Sequence, residues 1–276
     1  MRHVSFRRPD GTTGFGRLEG EVIIQLDSPA VPTLRVALEA GGLEGLPEWG
    51  GIALSDVTLL TPVTDPGKIF CVGLNYADHI REMGRAEVGY PAIFVRWADS
   101  LVTHGQAIVR PPESVMFDYE GELAVVIGKA GRRIPAERAM DHVAGFSIVM
   151  DGSVRDWQRH NVQFTPGKNF TATGGFGPAL VSPDEVGPLG DQRVQTRLNG
   201  QLVQDQAVSD MLFGVPAIIA YLSTFTELRP GDVIATGTPS GVGAGREPPL
   251  FMKGGDLLEV TIDRVGTLTL PVVDEA

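Results

Sequence analysis

The sequence predicts a β-rich α+β fold, and three observations lead to that prediction. Short apolar, β-branched runs recur along the chain, among them KIFCVG, PAIFVRW, HVAGFSIVM, DVIATG and DLLEVTID. Glycine (35 residues) and proline (20 residues) are scattered between these runs and mark frequent turns. Helical patterns are fewer, and they do not alternate regularly with the strands. This organisation favours mixed or rolled sheets over a doubly wound nucleotide-binding fold.

The N-terminal segment is predicted to form a small α/β domain. The runs HVSF and EVIIQL indicate strands on either side of the turn RPDGTTG, and TLRVALEAGG indicates a helix that ends at glycine. Two prolines in the segment LLTPVTDPGKIF mark a boundary. We therefore predict a small domain over residues 1–64 and a larger, strand-rich domain over residues 65–276.

Within the larger domain, helices are predicted over residues 77–84, 135–142, 153–160 and 215–225. Two alternating runs, RVQTRL and QLVQDQAV, flank Asn199 and Gly200. Because Asn-Gly is the preferred pair of a two-residue type I′ turn, this segment predicts a β-hairpin.

Composition excludes several classes of function. The net charge of -11 argues against a general nucleic-acid or anionic-membrane surface. The single cysteine, Cys71, allows no internal disulfide and lies in an apolar run typical of a packed thiol. The N-terminal segment has no apolar core of signal-peptide length, and the longest apolar run, FGVPAIIAYL, is too short to span a membrane. We expect a soluble protein of the cytoplasm.

Three carboxylates indicate a metal site. Glu120 and Glu122 would project from one face of a strand, roughly 6.6 Å apart, and Asp118 shares their parity. The alternative is that this strand end is a hydrated rim. Asp151 ends a second apolar run and could complete an all-oxygen set suited to Mg²⁺ or Mn²⁺. No histidine or cysteine set has zinc spacing, and the glycine of DYEGE is misplaced for an EF-hand.

A second constellation lies in the segment GLNYADHIREMG. His79 and Glu82 are three residues apart, so on a helix they share a face and the carboxylate could orient the imidazole as a general base. The alternative is a casual pair on a surface helix. Because this segment lies between Gly73 and Gly84, we also predict that it is a lid that orders when ligand enters.

These segments together resemble the fumarylacetoacetate hydrolase family. The resemblance runs from about Lys68 to Val273 and rests on ordered blocks: GLNYADHIREMG, PAIFVRWADSLVTHG, DYEGELAVVIGK, MDGSVRDWQ, PGKNF, GFGP and PGDVIATGTPSGVG. It implies a mixed β-roll catalytic domain over residues 65–276, assembly as a homodimer, and Mg²⁺ or Mn²⁺ in the site, with Ca²⁺ able to replace them in crystals.

The resemblance also implies roles for individual residues. It places the metal ligands at Glu120, Glu122 and Asp151, the catalytic groups at His79, Glu82 and Lys168, and the substrate-binding groups at Arg155, Gln158, Thr238 and Tyr76. The sequence departs from the usual family pattern at Met150, Thr171, Ala172 and Arg96, the last standing where many members have lysine. These departures leave the ligand set and the His/Glu pair intact and bear on substrate identity.

The implied substrates are 2-oxo acids and 1,3-diketones such as acylpyruvates. The favoured reaction is hydrolysis of a C–C bond, with His79 activating water and the metal stabilising the leaving enolate. A 2-oxo acid decarboxylase acting on an oxaloacetate-like substrate, or a hydratase or isomerase of unsaturated 2-oxo acids, is the alternative. A non-catalytic, metal-stabilised binding module is a further alternative, disfavoured because the His/Glu pair and the carboxylates are complete.

Overall fold

The computed structural model describes residues 1–84, 86 and 89–276, and it confirms the β-rich α+β fold. The described strands are β1 (Arg2–Arg7), β2 (Thr13–Glu19), β3 (Val22–Gln25), β4 (Gly51–Ala53), β5 (Thr58–Leu60), β6 (Ile69–Gly73), β7 (Ala92–Val95), β8 (Leu101–Val102), β9 (Ile108–Arg110), β10 (Phe117–Asp118), β11 (Gly121–Ile127), β12 (Val143–Met150), β13 (Ser153–Val154), β14 (Gly174–Val181), β15 (Arg193–Leu198), β16 (Gln201–Ala207), β17 (Val233–Ala235), β18 (Leu257–Ile262) and β19 (Gly266–Asp274).

The helices are short. The α-helices are α1 (Leu34–Glu39), α2 (Ala77–Glu82), α3 (Arg155–Gln158), α4 (Thr165–Lys168), α5 (Pro183–Val186) and α6 (Val215–Phe225). Turns of 3₁₀-helix cover Leu54–Asp56, Ala98–Ser100, Ala136–His142, Val208–Asp210 and Gly243–Gly245. The predicted helix over residues 135–142 is therefore a 3₁₀-helix, and the one over 153–160 is a single α-helical turn.

The described strands form three sheets. The largest has twelve strands in the order β4-β3-β2-β1-β14-β12-β11-β17-β6-β7, with β5 paired to β1 and β8 paired to β14. A second sheet has the order β16-β15-β18-β19-β9, and β10 pairs with β13 in a small ribbon. The two large sheets share one apolar core, while α1 packs on the other face of the twelve-stranded sheet.

β11 lies in the interior of the largest sheet, between β12 and β17, and this position explains its apolar sequence. Leu123, Val125 and Ile127 point into the core between the sheets, whereas Ala124 and Val126 point to the opposite face. Both faces of this strand are therefore buried, which is why its composition is continuously apolar rather than alternating. A strand anchored in this way can hold the residues at its N-terminal end rigidly.

The N-terminal strands extend the largest sheet. β1 pairs antiparallel with β14, with Arg2 opposite Val181 and His3 opposite Leu180. β1 also pairs with β2 across the predicted turn, where Asp10 accepts hydrogen bonds from the backbone and side chain of Thr12. A domain boundary after residue 64 remains a prediction, because the sheet continues across it.

Two local predictions agree with the structure. β15 and β16 form the expected hairpin, and both Asn199 (φ 52°) and Gly200 (φ 79°) adopt the left-handed conformation that a type I′ turn requires. Cys71 is fully buried, and that burial raises the pKa of its thiol well above the usual value. Among the helices described here, none combines the length and apolarity needed to cross a membrane.

Candidate active site

Two antiparallel strands bring the three predicted metal ligands together. Gly121 at the start of β11 lies opposite Met150 at the end of β12, so the residues just outside this pair, Glu120 and Asp151, are neighbours. The backbone amide of Asp151 donates to the carbonyl of Glu120 at 2.8 Å. One carboxylate oxygen from each of Glu120, Glu122 and Asp151 lies within 4.8 Å of the other two, and all three side chains are buried.

Lys168 joins two of these carboxylates. It ends α4, and its ammonium nitrogen lies 2.6 Å from Glu120 Oε2 and 2.6 Å from Asp151 Oδ2. The same nitrogen lies 5.0 Å from the centre of the Phe94 ring, a cation–π contact. Burial lowers the pKa of Lys168, but the charges of Asp151 and Glu120 outweigh that effect and raise it. Both carboxylates therefore favour the charged form of Lys168.

Arg155 is the second buried cation of the site. Its Nε donates to Asp118 Oδ2 at 2.7 Å, its Nη2 lies 2.7 Å from Glu120 Oε1, and its Nη1 donates to Gln158 Oε1 at 3.0 Å. Burial raises the pKa of Glu120, yet Arg155 and Lys168 outweigh this and hold that pKa at about 2. The guanidinium is thus committed to carboxylates of the chain itself.

Arg96 is a third buried cation, and sequence reasoning noted it only as a departure from lysine. Its Nη1 donates to Asp151 Oδ1 at 2.7 Å and to the carbonyl of Gly152 at 2.9 Å. Its other nitrogens donate to Ser100 and Thr173. A planar guanidinium can make all these bonds at once, whereas a lysine could not. The only signal in the sequence was an arginine at the end of an apolar strand.

Glu122 supplies the test of whether a divalent cation fits. In the described part of the chain no cation lies within ion-pair distance of Glu122, and its Oε2 accepts one hydrogen bond, from the amide of Gly237 at 2.8 Å. Burial, with Asp151 and Glu120 close by, raises the pKa of Glu122 well above its usual value. The three carboxylates form a buried, all-oxygen donor set in which the charge of Glu122 is not compensated. Mg²⁺ or Mn²⁺ would fit such a set and neutralise that charge.

A glycine-rich loop, residues 237–245, holds further carboxylates with backbone amides. The amide of Gly241 donates to both oxygens of Glu82, at 3.0 and 3.1 Å. The two amides of Gly243–Ala244 donate to Asp118 at 2.7 and 2.9 Å. In the sequence this segment was noted only as part of the block PGDVIATGTPSGVG and for Thr238. In the structure the amides of this loop bind carboxylates of the chain. One of these is Asp118, which also accepts a hydrogen bond from Arg155.

α2 carries the predicted proton-transfer pair. His79 is buried and its Nδ1 lies 3.4 Å from Glu82 Oε2, a long contact that matches the predicted spacing. Leu74, just before the helix, has a φ of 57°. That conformation is costly for a residue with a branched side chain and marks a sharp change of chain direction. Ligand-dependent ordering of this segment as a lid remains a prediction.

A cavity of about 480 Å³ lies over the triad. It is lined by most of the predicted site residues and by further polar and apolar groups: Val72, Gly73, Leu74, His79, Met83, Phe94, Glu120, Glu122, Arg155, Gln158, Arg159, His160, Asn161, Val162, Phe164, Lys168 and Thr238. Thr238 Oγ1 donates to the carbonyl of Gly121 at 3.1 Å, which fixes its rotamer in the wall. The cavity therefore unites a carboxylate set, a base and an apolar surface.

Three predicted site residues, Tyr76, Glu82 and Asp151, are not among those that line the cavity. The ring of Tyr76 is fully buried in the core between the sheets. Burial raises the pKa of its hydroxyl, which has no hydrogen-bond partner among the described residues. Its predicted contact with substrate remains a prediction, as do the roles of the other site residues.

Gly245 is expected to control the position of Glu82. A Cβ atom at Gly245 would lie 2.4 Å from Glu82 Cγ and 2.5 Å from its Cδ, so an alanine there must displace the carboxylate. We expect Gly245→Ala to lower kcat about tenfold to a hundredfold, because a misplaced Glu82 no longer orients His79. Affinity for Mg²⁺ should stay the same. Steady-state kinetics and titration calorimetry would measure the two effects.

Gly190→Ala is the matched control, since a Cβ atom there meets no atom within 4 Å. Full activity of Gly245→Ala would show that the position of Glu82 does not matter.

The comparisons with known proteins agree with this geometry. Residues 68–273 match the family model described as "Fumarylacetoacetate (FAA) hydrolase C-terminal". The chain is 40% identical to the oxaloacetate tautomerase fahd2, mitochondrial, of Xenopus laevis, over 99% of this chain and 90% of that protein. It is 46% identical to the oxaloacetate tautomerase YisK of Bacillus subtilis, over 79% of this chain and 73% of that protein.

Similarity extends to solved structures. The fumarylacetoacetate hydrolase (EaFAH) from psychrophilic Exiguobacterium antarcticum superimposes with a TM-score of 0.86 at 36% identity, covering all of both chains. A sheet-rich α+β enzyme with a buried acidic triad is the class that fold and cavity define. The chain belongs to the fumarylacetoacetate hydrolase family, which confirms the resemblance stated from the sequence.

Proposed function

We propose that the protein is a metal-dependent keto–enol tautomerase of a 2-oxo dicarboxylate of the oxaloacetate class. The observation that supports this most directly is the placement of His79, a proton-transfer group, in the same cavity as Glu120 and Glu122, two members of the acidic triad. The names of relatives 40% and 46% identical to this chain direct the choice toward tautomerisation. Isomerisation of unsaturated 2-oxo acids was one of the alternatives left open by the sequence, and tautomerisation of oxaloacetate was not named there.

The chemistry needs an enolate to be stabilised and a proton to be moved. Glu120, Glu122 and Asp151 would hold a divalent ion, which would supply stabilisation of the negative charge that develops on the substrate. His79 would carry the proton to and from the carbon next to the 2-oxo group. Its Nδ1 faces Glu82, so Nε2 is the atom left for the substrate.

The remaining residues hold this arrangement in place. Lys168 and Arg155 neutralise Glu120 and fix its oxygens. Apolar groups in the wall, among them Phe94 and Phe164, limit the water that reaches the enolate. Exclusion of water from the cavity matters because electrostatic interactions are stronger where the local dielectric constant is low.

Hydrolysis of an acylpyruvate-type C–C bond is the second candidate. It uses the same metal platform, with His79 activating water instead of transferring a proton to carbon. The name of the structurally similar protein from Exiguobacterium antarcticum favours it, and so does the His/Glu pair on α2. Three further expectations from the sequence also remain predictions. They are decarboxylase activity, assembly as a homodimer and a cytoplasmic location.

Product analysis tests the proposal. The protein with Mg²⁺ or Mn²⁺ would be mixed with the enol form of oxaloacetate, with an acylpyruvate and with a 2-oxo-enoate, and both the enol absorbance and the product mass would be followed. We expect faster loss of the oxaloacetate enol with no change of mass. Release of an acid plus pyruvate would establish the hydrolase instead, and release of CO₂ the decarboxylase. No acceleration of tautomerisation would contradict the proposal.

A further inference from the structure

The cations that line the cavity differ in how far the chain already neutralises them. Arg155 contacts Asp118 and Glu120, and Lys168 contacts Glu120 and Asp151, all at 2.6 to 2.7 Å. Neither has a charge left over for a substrate carboxylate. Carboxylates of the chain therefore already pair with Arg155, and its predicted contact with substrate remains a prediction.

Arg159 is in the opposite situation. It lines the same cavity and its side chain is exposed. Across residues 1–84, 86 and 89–276, no carboxylate lies within ion-pair distance of its guanidinium. Its backbone is nevertheless well anchored, since the amide of Arg159 donates to the carbonyl of Asp156 at 3.1 Å. A guanidinium with no carboxylate partner in the described part of the chain, on an anchored backbone, is suited to bind a ligand.

Packing of α4 against α3 strengthens this anchoring. A Cβ atom at Gly167 would lie 2.3 Å from the amide nitrogen of Gln158, so the two helical turns are in backbone contact there. Gln158 immediately precedes Arg159, and α4 also carries Lys168. The backbone at Arg159 is thereby packed, through Gln158, against the helix that carries Lys168.

A count of charges shows what the free arginine could do. The groups in mutual contact at the site are four carboxylates and three cations: Asp118, Glu120, Glu122, Asp151, Arg96, Arg155 and Lys168. With all of them ionised, one negative charge remains, and a divalent ion would turn it into one positive charge. One substrate carboxylate would neutralise that charge. A second carboxylate would need another cation.

We propose that Arg159 binds the second carboxylate of a 2-oxo dicarboxylate and so selects dicarboxylates over monocarboxylates. This inference rests on the proposed function, because it assumes that the first carboxylate lies at the triad. The guanidinium offers two parallel N–H donors that match a carboxylate. Arg159 takes no part in proton transfer, so its contribution is to binding and specificity.

The test compares paired probes with and without the second carboxylate. Malate and lactate are non-tautomerising 2-hydroxy acids that differ in this group, and their affinities would be measured by calorimetry with Mg²⁺ present. We expect Arg159→Gln to weaken malate binding about tenfold to a hundredfold, the range for losing a hydrogen bond to a charged group. Lactate binding should be unchanged. Arg159→Lys should fall between Arg159→Gln and the wild type.

Kinetics add a second readout. The KM for oxaloacetate should rise in Arg159→Gln by a similar factor while kcat changes little, because the contact is the same in the ground and transition states. Arg229→Gln is the matched control: it removes the same charge from an exposed arginine outside the cavity lining, paired with Glu227. It should leave both parameters unchanged.

Three results would overturn the inference. They are no preference of the wild type for malate over lactate, equal losses for both probes in Arg159→Gln, and a loss of the same size in Arg229→Gln. The malate–lactate comparison needs no turnover, so it decides the role of Arg159 even if the protein proves to be a hydrolase. Failure of the tautomerase assay alone would count against the proposed function only.

Discussion

Glu122→Gln should abolish binding of Mg²⁺ and Mn²⁺ and lower turnover about a thousandfold or more, since the metal supplies several kcal/mol of charge stabilisation. The amide retains the shape of the side chain and can still accept the hydrogen bond from Gly237. What it removes is the one carboxylate of the triad without a cation partner among the described residues. Calorimetry with Mg²⁺ and steady-state kinetics would measure the two losses.

Thermal unfolding gives a readout that does not depend on activity. A metal at 100 times its Kd stabilises the wild type by about 2.7 kcal/mol, so its Tm should rise on addition of Mg²⁺ while that of Glu122→Gln should not. Without metal, the variant should be as stable as the wild type or more so, because a buried carboxylate is replaced by a neutral amide. Glu259→Gln on β18 makes the same chemical change outside the site and should behave like the wild type. Tight metal binding by Glu122→Gln would refute the assignment of the triad.

His79→Gln should lower turnover about 10²- to 10⁴-fold, the usual range for removing a general acid–base group. Glutamine can fill much of the space of the imidazole but cannot carry the proton. His79 does not contact the carboxylates that would hold the metal. It acts on Glu120 only electrostatically, over a longer distance. Metal affinity should therefore stay within about twofold of the wild type, since contacts to the ion are unaffected.

The separation of the two effects is what makes the experiment decisive. Glu122→Gln should lose metal and turnover together, whereas His79→Gln should lose turnover alone. His142→Gln is the control, because His142 is half-buried and its Nδ1 lies 2.9 Å from the carbonyl oxygen of Lys129, outside the cavity lining. If His79→Gln were fully active on the substrate that the wild type converts, proton transfer would have to be assigned to another group.

The contacts of the glycine-rich loop suggest why these elements work as one unit. Through its amides the loop holds Glu122, Glu82 and Asp118, and the last of these also accepts a hydrogen bond from Arg155. Metal ligand, proton-transfer pair and buried arginine therefore share one segment of backbone. A change in this loop, such as Gly245→Ala, acts on catalysis without touching the metal site directly.

Local features of the site could be predicted from the sequence. Alternation along a strand indicated that Glu120 and Glu122 point the same way, and helical spacing placed His79 beside Glu82. The hairpin at Asn199 followed from turn chemistry alone. Each of these relations spans only a few residues, so the geometry of the backbone fixes it wherever the segment lies in the fold.

Other relations depend on the three-dimensional arrangement of distant segments. The meeting of Asp151 with Glu120 depends on the register of β11 and β12. The bond between Gly241 and Glu82 joins residues 159 positions apart. The burial of Tyr76 in the core depends on how the sheets pack. Family resemblance could suggest some of these neighbours, but no short-range pattern in the sequence encodes them.

The difference between what the sequence determines and what the tertiary structure decides is clearest for the arginines. Sequence by itself determined the fold class, the family and the set of carboxylates, because strand periodicity and motif order are properties of the chain. Only the tertiary structure decided that Arg155 and Arg96 are paired with buried carboxylates, while Arg159 lies at the cavity wall with no carboxylate partner among the described residues. The physical reason is that a charge becomes available to a ligand only when no chain carboxylate reaches it. That depends on which distant residues the fold brings within ion-pair distance.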